Sequence, residues 1–460
     1  MSARVMQAYR FALDPTPGQV RDLERHAGAA RFAFNWALAA VKANLAQREV
    51  ERSYGVADDE LTPALGWNLP ALRRAWNTAK GQVAPWWAEC SKEAFNTGLD
   101  GVARALKNFS DSRNGKRAGR RVGFPRFRAR RRATPSVRFT TGPIRVEADR
   151  KRVTLPRLGT VKLHESARKL ARRLEAGTAR IVSATVRREA GRWFVSFTCE
   201  VKRAERAPAR PHAVVGVDVG VTHLAVLSTG ELVDNPRHLA AASRRLRRLA
   251  RRTSRCQGPD RRTGARPSRR WDRARAGLAR AHRRVANLRR DGLHKLTTRL
   301  TGTYGTVVIE DLNVAGMLGN RKLAKAISDC GFGEIRRLIA YKTTWNGGRL
   351  VTADRYYPSS KTCSGCGAVK PKLPLQVRTF TCEHCGLSLD RDLNAANNLA
   401  QLVTSTTGTG VAGDPTPQGA NGRGADQKTT LAVAGGDETS TPHRHQPDKT
   451  GTFVRQRANH

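Results

Sequence analysis

The sequence predicts a multidomain protein of mixed α/β and α+β class: an N-terminal β-barrel with a helical insert, then an α/β domain with an inserted zinc ribbon. Two apolar patterns support the two domains. Strand-like alternation brackets a helical stretch in the first half, and two continuous apolar strands lie in the second half, at 213–218 and 306–310. The ribbon is indicated by Cys363-Ser-Gly-Cys366 and Cys382-Glu-His-Cys385, two CxxC pairs that fifteen residues separate.

The charge of the chain indicates a polyanionic partner. The 460 residues include 84 Lys and Arg against 38 Asp and Glu, a formal net charge of +46. Arginine dominates, and its forked guanidinium suits phosphate better than the point charge of lysine does. The alternatives are a solvated basic surface and a protein that lies at a membrane surface. Because the basic residues spread over several segments, nucleic acid is the expected partner.

Cysteine use and hydropathy indicate a cytoplasmic protein. Four of the eight cysteines belong to the ribbon, and the other four are scattered singly. This pattern favours metal ligation in a reducing compartment over a disulfide framework. The N-terminal residues lack the apolar stretch of a signal peptide, and no run approaches the roughly eighteen apolar residues of a membrane span.

The N-terminal half begins with a strand and continues as helices. Residues 4–13 alternate as a strand does, and Thr16 before Pro17 is a favourable helix start. Apolar residues then recur at three- and four-residue steps from Val20 to Leu45, which predicts an amphipathic helix. More helix is expected over 68–80 and 88–108, where Trp67, Trp76, Trp86 and Trp87 are expected to pack in the protein rather than to stack on bases.

A segment dense in arginine then leads into a second set of strands. The arginines run from 115 to 138, and strand-like runs follow between 143 and 201. We therefore expect a small β-barrel or twisted sheet with a basic face, formed by residues 1–16 and 111–206 around a helical insert at 17–110. Its candidate nucleic-acid ligands are Arg126, Arg128, Arg130 and Arg131.

The second domain begins after a Pro-rich linker at 207–211. Its first strand is followed by a hairpin and then by a long arginine-rich helical arm at 237–300, whose candidate nucleic-acid ligands are Arg244, Arg245, Arg247 and Arg248. The second strand, a helix and a third strand lead into the ribbon. The expected bounds are 212–358 and 386–402 for the α/β domain, 359–385 for the ribbon, and 403–460 for a tail that is expected to be disordered because it has few large apolar residues.

Three acidic residues are placed where a metal site could use them. Asp218 and Glu310 end the two apolar strands, and Asp392 lies near the start of a predicted helix. Ligands bind at strand ends in open α/β sheets. Carboxylates are the ligands that Mg²⁺ prefers, and two such ions can act on a phosphodiester. Taken singly, the three residues could instead be a turn residue, a helix cap and a partner of a helix dipole.

Four motifs carry a resemblance to a known family. They are Gly216-Val-Asp218-Val-Gly220, Ile309-Glu310-Asp311-Leu312-Asn313, Pro358-Ser359-Ser360-Lys361-Thr362-Cys363 and Asp390-Arg-Asp392-Leu-Asn394-Ala-Ala. Together, in this order over residues 4–400, they resemble the OrfB/TnpB proteins of bacterial insertion sequences, which are related to the type V CRISPR effectors. The resemblance implies a RuvC-like nuclease domain with the RNase H fold, split in sequence, with a zinc ribbon before its last catalytic acid.

The resemblance also implies residue roles. Asp218, Glu310 and Asp392 are similar to the three catalytic acids and would hold Mg²⁺. Cys363, Cys366, Cys382 and Cys385 are similar to the zinc ligands. Asp390 matches an acid that we expect to support the site rather than to bind metal.

The expected function is therefore that of an RNA-guided, magnesium-dependent DNA endonuclease of an insertion sequence, located in the bacterial cytoplasm with the nucleoid. Its expected partners are a guide RNA, a double-stranded DNA target and a separate transposase from the same element. Two alternatives remain open at this point: a non-catalytic nucleic-acid-binding protein with vestigial acids, and a transposase that catalyses strand transfer on the same fold. A neighbouring transposase gene together with a structured RNA would favour the guided nuclease.

Overall fold

The computed structural model describes residues 3–407 except the single positions 118, 131, 205, 261 and 375. The candidate ligand Arg131 and the predicted tail from 408 onward lie outside the described residues. The first five residues of that predicted tail belong instead to the last helix, which ends at Thr407.

The first sheet contains seven antiparallel strands: β1 (Ala3–Asp14), β2 (Ser136–Phe139), β3 (Arg145–Val146), β4 (Arg152–Leu155), β5 (Gly159–Leu163), β6 (Ala179–Glu189) and β7 (Arg192–Arg203). Their order is β2-β6-β7-β1-β5-β4-β3. Strand β1 joins the two halves of the sheet, because it pairs with β7 as far as Ala12 and with β5 from Leu13. In β7 every second residue from Trp193 to Val201 is buried, as a strand with one face on the core requires.

This sheet is open in the part of the chain that the structure describes, so the predicted β-barrel is wrong, while the alternative of a sheet agrees with the structure. Within the described residues the edge strands β2 and β3 do not pair with each other, although only residues 140–144 connect them. The buried carboxylate of Glu93 binds that connection instead. It accepts from the Thr140 backbone N–H at 3.2 Å, the Thr140 hydroxyl at 2.7 Å and the Thr141 hydroxyl at 3.1 Å. Edge strands of four and two residues also offer little to close a barrel with.

The helical insert packs on this sheet and lies between β1 and β2 in sequence. It contains α1 (Pro17–Ser53), α2 (Leu69–Val83), a 3₁₀ turn (Pro85–Glu89) and α3 (Lys92–Arg113), and a short helix that the sequence did not predict, α4 (Arg168–Glu175), follows β5. The predicted start of α1 is confirmed, because Thr16 and Gln19 form a capping box. Helices α1 and α3 touch at Gly98, where a Cβ would lie 2.2 Å from the Ala30 carbonyl oxygen.

The predicted packing role of the tryptophans is confirmed for Trp76. Its side chain is buried and stacks on Phe95 with ring centroids 4.9 Å apart. Trp67 and Trp86 are partly buried against the same core. Trp87 is more exposed, and the Lys80 ammonium lies 4.3 Å above its ring.

The second sheet contains five strands: β8 (Arg210–Asp218), β9 (His223–Leu227), β10 (Leu232–Asp234), β11 (Tyr304–Glu310) and β12 (Arg349–Ala353). Their order is β10-β9-β8-β11-β12, and β8, β11 and β12 run parallel. The helices of this half are α5 (His238–Ser254), α6 (Arg269–Thr303), α7 (Val314–Met317), α8 (Ala324–Cys330), α9 (Phe332–Trp345) and α10 (Arg391–Thr407). None of the helices in the described part of the chain is long and apolar enough to cross a membrane.

The four-cysteine segment lies between β12 and α10. Its hairpin pairs β13 (Thr379–Thr381) with β14 (Ser388–Asp390), and α10 begins directly after β14. Helix α10 lies against β8, because Gly216 has no side chain there. A Cβ at this position would lie 1.9 Å from the Ala396 carbonyl oxygen. The close approach brings the start of α10 to the end of β8 that carries Asp218.

Candidate active site and metal centre

The fold brings the three predicted acids to one edge of the second sheet. Asp218 is the last residue of β8, and Glu310 is the last residue of β11. The parallel register pairs Ile309 with Val217, so the two acids follow side by side at the carboxyl edge. Asp392 lies in the first turn of α10, above the same edge.

The electrostatics of this edge favour a cation. Burial, with a further contribution from the nearby carboxylates of Glu310 and Asp392, raises the pKa of the Asp218 carboxyl to about 8, while Arg391 and Arg378 act in the opposite sense. Three acids that disfavour one another's charge are stabilised when a divalent ion lies among them.

Two side chains without a predicted role contact the acids. The Ser359 hydroxyl donates to Glu310 Oε1, and the Arg378 guanidinium pairs with Asp392 Oδ2. Ser359 belongs to a motif of the resemblance, whereas Arg378 had no signal in the sequence beyond its place near the second CxxC pair.

The neighbouring acids are already engaged. Asp390 Oδ1 accepts from the backbone N–H groups of Asp392 at 2.8 Å and Leu393 at 3.1 Å, so it caps the N-terminus of α10 and fixes its first turn. Asp311, next to Glu310, pairs with the guanidinium groups of Arg336 and Arg355. Its pKa is lowered by the hydrogen bonds from these arginines. Both acids therefore support the edge structurally.

The donor set fits Mg²⁺ in its chemistry, because it consists of carboxylate oxygens. It is more open than the cysteine cluster. Among the described residues, the four cysteines are the one group of three or more potential ligands whose atoms all lie within 4.8 Å of one another. Glu310 accepts from the Ser359 hydroxyl, and Asp392 pairs with Arg378.

The four cysteines fit a zinc ion. The Sγ atoms of Cys363 and Cys385 are 3.6 Å apart, as are those of Cys366 and Cys382. Tetrahedral zinc with bonds of about 2.3 Å places its sulfur ligands roughly 3.8 Å apart. The predicted spacing of the two CxxC pairs thus produces a cluster of the right size and ligand type.

Two asparagines of α10 fasten this cluster to the acid site. Asn398 Nδ2 donates to the carbonyl oxygens of Ser359 and Thr362, each at 2.7 Å. Asn394 Nδ2 donates to the Thr362 carbonyl, and Asn394 Oδ1 accepts from the Ser364 backbone N–H at 2.9 Å. Both side chains are fully buried. Asn394 lies in one of the four motifs that carry the resemblance, but neither asparagine has a predicted role.

A groove between α5 and α6 is lined by six arginines. Its volume is about 890 Å³, and Asp291 is its one acidic lining residue. Of the four arginines predicted on α5, Arg245 lines the groove, whereas Arg244, Arg247 and Arg248 are not among its lining residues. The remaining lining arginines are Arg252, Arg273, Arg280, Arg283 and Arg284.

The arginines predicted for the basic face of the first half differ in their contacts. Arg126 and Arg130 are exposed. Arg128 is exposed as well, but its guanidinium lies 3.6 Å above the Phe34 ring, and its backbone N–H donates to Asn35 Oδ1 at 2.8 Å. This arginine fastens the segment to α1, so a structural role accounts for it without a phosphate.

The fold and site define a class: mixed α/β multidomain proteins with a four-cysteine cluster fastened beside an acidic sheet edge. Three family models match the chain. They are described as "Probable transposase" (OrfB_IS605, residues 196–321), "Cas12f1-like, TNB domain" (residues 332–399) and "Helix-turn-helix domain" (residues 1–49). In the last of these regions the structure has one strand and a single helix of 37 residues.

Curated relatives match along most of the chain. One from Mycobacterium tuberculosis (strain H37Rv) is 41% identical and covers 96% of each chain. One from Escherichia coli (strain K12), InsQ, is 29% identical and covers 86% of this chain and 91% of its own. The names of both include the words RNA-guided DNA endonuclease. The chain therefore belongs to the OrfB_IS605 transposase family, as the resemblance predicted.

Solved structures of type V effectors also align. The complex of Cas12f1 with guide RNA and target DNA aligns with a TM-score of 0.45 at 13% identity, covering 86% of this chain and 99% of that chain. CasPhi-2 (Cas12j) bound to crRNA aligns with a TM-score of 0.39 at 13% identity, covering 86% and 98%.

Proposed function

We propose that this protein is an RNA-guided, magnesium-dependent DNA endonuclease, and that Asp218, Glu310 and Asp392 are its catalytic acids. The observation that carries the proposal is the meeting of these three carboxylates at one sheet edge, where burial and the neighbouring acids raise the pKa of Asp218. Site residues with strongly shifted pKa values are candidates for catalysis. The RNA guide and the DNA target come from the names of the relatives.

The chain's own residues prepare the site. Asp218, Glu310 and Asp392 would hold Mg²⁺, which when bound supplies a Lewis acid for phosphodiester hydrolysis. Ser359 orients Glu310 by its hydrogen bond, and Asp390 fixes the turn that presents Asp392. Arg378 balances the charge of Asp392.

The remaining parts of the chain support this chemistry in the proposed arrangement. The four cysteines would bind a structural zinc ion, and the asparagines of α10 transmit its placement to Asp392. The guide RNA and the DNA target would bind along the arginine-lined surfaces. Both the first half (1–16 and 111–206, with the insert at 17–110) and the α/β domain (212–358 and 386–402) would contact them. A separate transposase of the same element would act on the ends of the element.

Replacement of the acids tests the proposal. The full-length protein is purified with the RNA that accompanies it, and cleavage of a duplex matching that RNA is measured in Mg²⁺. We expect Asp218→Ala and Glu310→Ala to abolish cleavage, because each variant lacks a carboxylate that would hold Mg²⁺. RNA and DNA binding should persist, because a carboxylate without a metal ion repels phosphate.

Asp234→Ala is the matched control. This aspartate lies on the edge strand β10 of the same sheet, and its side chain is 98% exposed. The Asp234→Ala protein should cut at the wild-type rate. Efficient cleavage by Asp218→Ala, or equal loss in the Asp234 variant, would refute the assignment of the acids.

A further inference from the structure

Tyr356 is an exposed aromatic side chain beside the acid site. At 87% it has the highest exposed fraction of any large apolar side chain in the described part of the chain. It lies in the turn between β12 and the ribbon. Ala353, three residues earlier, pairs with Glu310 in the sheet, and Ser359, three residues later, donates to the Glu310 carboxylate. Three residues reach at most roughly 11 Å, so Tyr356 lies within that span of both contacts with Glu310.

The turn that carries Tyr356 is anchored on both sides. The Tyr356 backbone N–H donates to Asp354 Oδ1 at 2.8 Å. Arg355 pairs with Asp311 at 2.6 Å, and the Tyr357 hydroxyl donates to the Asn398 carbonyl oxygen of α10 at 3.4 Å. The neighbours of Tyr356 are therefore held against the protein, while its own ring projects outward from a fixed backbone. An aromatic group held in this way loses little entropy when a ligand stacks on it.

The charged groups of the turn are balanced, so a contact with a nucleic acid at this point would depend on the ring. Arg336 and Arg355 share the carboxylate of Asp311, and Asp354 supplies a second carboxylate next to Tyr356. Singly exposed apolar side chains are common and carry no function by themselves. Tyr54 is such a case, because it is 83% exposed after the end of α1 and lies in a part of the fold remote in sequence from the acids.

We infer that the Tyr356 ring is a stacking platform for an unpaired base of the DNA strand that enters the acid site. The inference rests on the proposed function and adds a positioning residue to it. Stacking does not depend on the identity of the base, because every base has a π face. Such a platform would hold the strand next to Glu310 whatever sequence the guide selects.

The first measurement is the cleavage rate under single-turnover conditions, with the full-length protein, its RNA and a matching duplex. Because the loss of one base-stacking contact weakens the positioning of the strand, Tyr356→Ala should cut about 5- to 150-fold more slowly. Tyr356→Phe keeps the ring and should stay near the wild-type rate. Tyr54→Ala removes a similarly exposed tyrosine far from the acids in sequence and should have no effect.

The second measurement reports stacking directly. Target duplexes carry 2-aminopurine at successive positions of each strand and are bound by the Asp218→Ala protein, which leaves them intact. In the complex with the Asp218→Ala protein, the fluorescence of 2-aminopurine at one or two positions should be quenched. The double variant that also carries Tyr356→Ala should lose this quenching, whereas the double variant that also carries Tyr54→Ala should keep it.

The outcomes separate the inference from the proposed function. If the wild-type protein cuts no matching duplex in Mg²⁺, the proposed function fails. If the wild-type protein cuts, but Tyr356→Ala cuts equally fast or leaves every 2-aminopurine signal unchanged, the inference about Tyr356 fails and the proposed function stands.

Discussion

At the scale of single residues, Asn398 fastens the ribbon to α10. Its amide donates to the buried Ser359 carbonyl oxygen and to the partly buried Thr362 carbonyl oxygen, just before the first CxxC pair. Asn398→Ala removes this donor from the Ser359 carbonyl oxygen, whereas the Thr362 carbonyl oxygen keeps its hydrogen bond from Asn394. An unpaired buried group costs about 1–3 kcal/mol, so we expect a loss of about 1–3 kcal/mol in the free energy of unfolding. Denaturant unfolding measures this loss, and metal analysis should show zinc falling below about one ion per chain.

Asn397→Ala is the matched control, because it removes the same side chain from the preceding position of α10, which is only partly buried. Its stability and zinc content should remain close to those of the wild type. Equal effects of the two variants would show that the helix, rather than the Asn398 hydrogen bonds, holds the ribbon.

The residues of the site differ in how far the sequence could predict them. Asp218 and Glu310 end strands that apolar runs reveal, and the cysteines have a fixed spacing, so local patterns were sufficient. Ser359 and Arg378 act on acids that are 49 and 14 positions away in the chain. Nothing local distinguishes such side chains from ordinary polar residues, because their role depends on the tertiary contact.

Between elements, a buried lysine joins α9 to α6. Lys342 Nζ donates to the His294 carbonyl at 2.8 Å and to the hydroxyls of Thr297 at 2.7 Å and Thr298 at 2.8 Å. Burial lowers the pKa of Lys342 from 10.5 to about 8, and Arg337 contributes in the same direction. The unfolded chain thus holds this proton over a pH range in which the folded protein has released it, so the stability that Lys342 confers rises with pH between about 8 and 10.5.

Lys342→Met removes this pH dependence. The free energy of unfolding of the wild type minus that of the variant should be flat below pH 8 and should then rise by about 3 kcal/mol toward pH 10.5. Denaturant unfolding at several pH values measures the difference. Lys295→Met, on an exposed side chain of α6 that pairs with Asp291, is the control and should give no such rise. A flat difference for Lys342→Met would show that the ammonium remains charged and well solvated in the fold.

The elements themselves were predictable where their patterns are long. The periodicity from Val20 to Leu45 and the capping Thr16 identified α1, whereas the eight residues of α4 were too few to show a period among their arginines. The openness of the first sheet was not predictable from strand patterns, which do not show whether the two edge strands pair. The contacts near those edges are long-range, since Glu93 binds residues 47 and 48 positions away.

Over the whole molecule, the net charge of +46 predicted a polyanionic partner but not where it binds. The structure concentrates six arginines on one groove between α5 and α6. Four of them lie on α6, at 273, 280, 283 and 284, and are separated by steps of seven, three and four that are typical of one helix face. The sequence could not show which face of α5 lies opposite these arginines, because that depends on how the two helices pack.

The groove makes a prediction about the salt dependence of nucleic-acid binding. Each phosphate contact that is lost reduces the slope of log affinity against log salt concentration by roughly 0.7–0.9. Replacing Arg273, Arg280 and Arg284 by Gln should therefore flatten the slope by about 2–3 for the RNA that accompanies the protein. The triple replacement of Arg244, Arg247 and Arg248, which carries the same change in charge but lies outside the groove, should flatten it less. Fluorescence anisotropy over a salt series measures both slopes. If the outer set flattens the slope as much as the groove set does, the effect belongs to the overall charge of the arm, and the groove has no special part in binding.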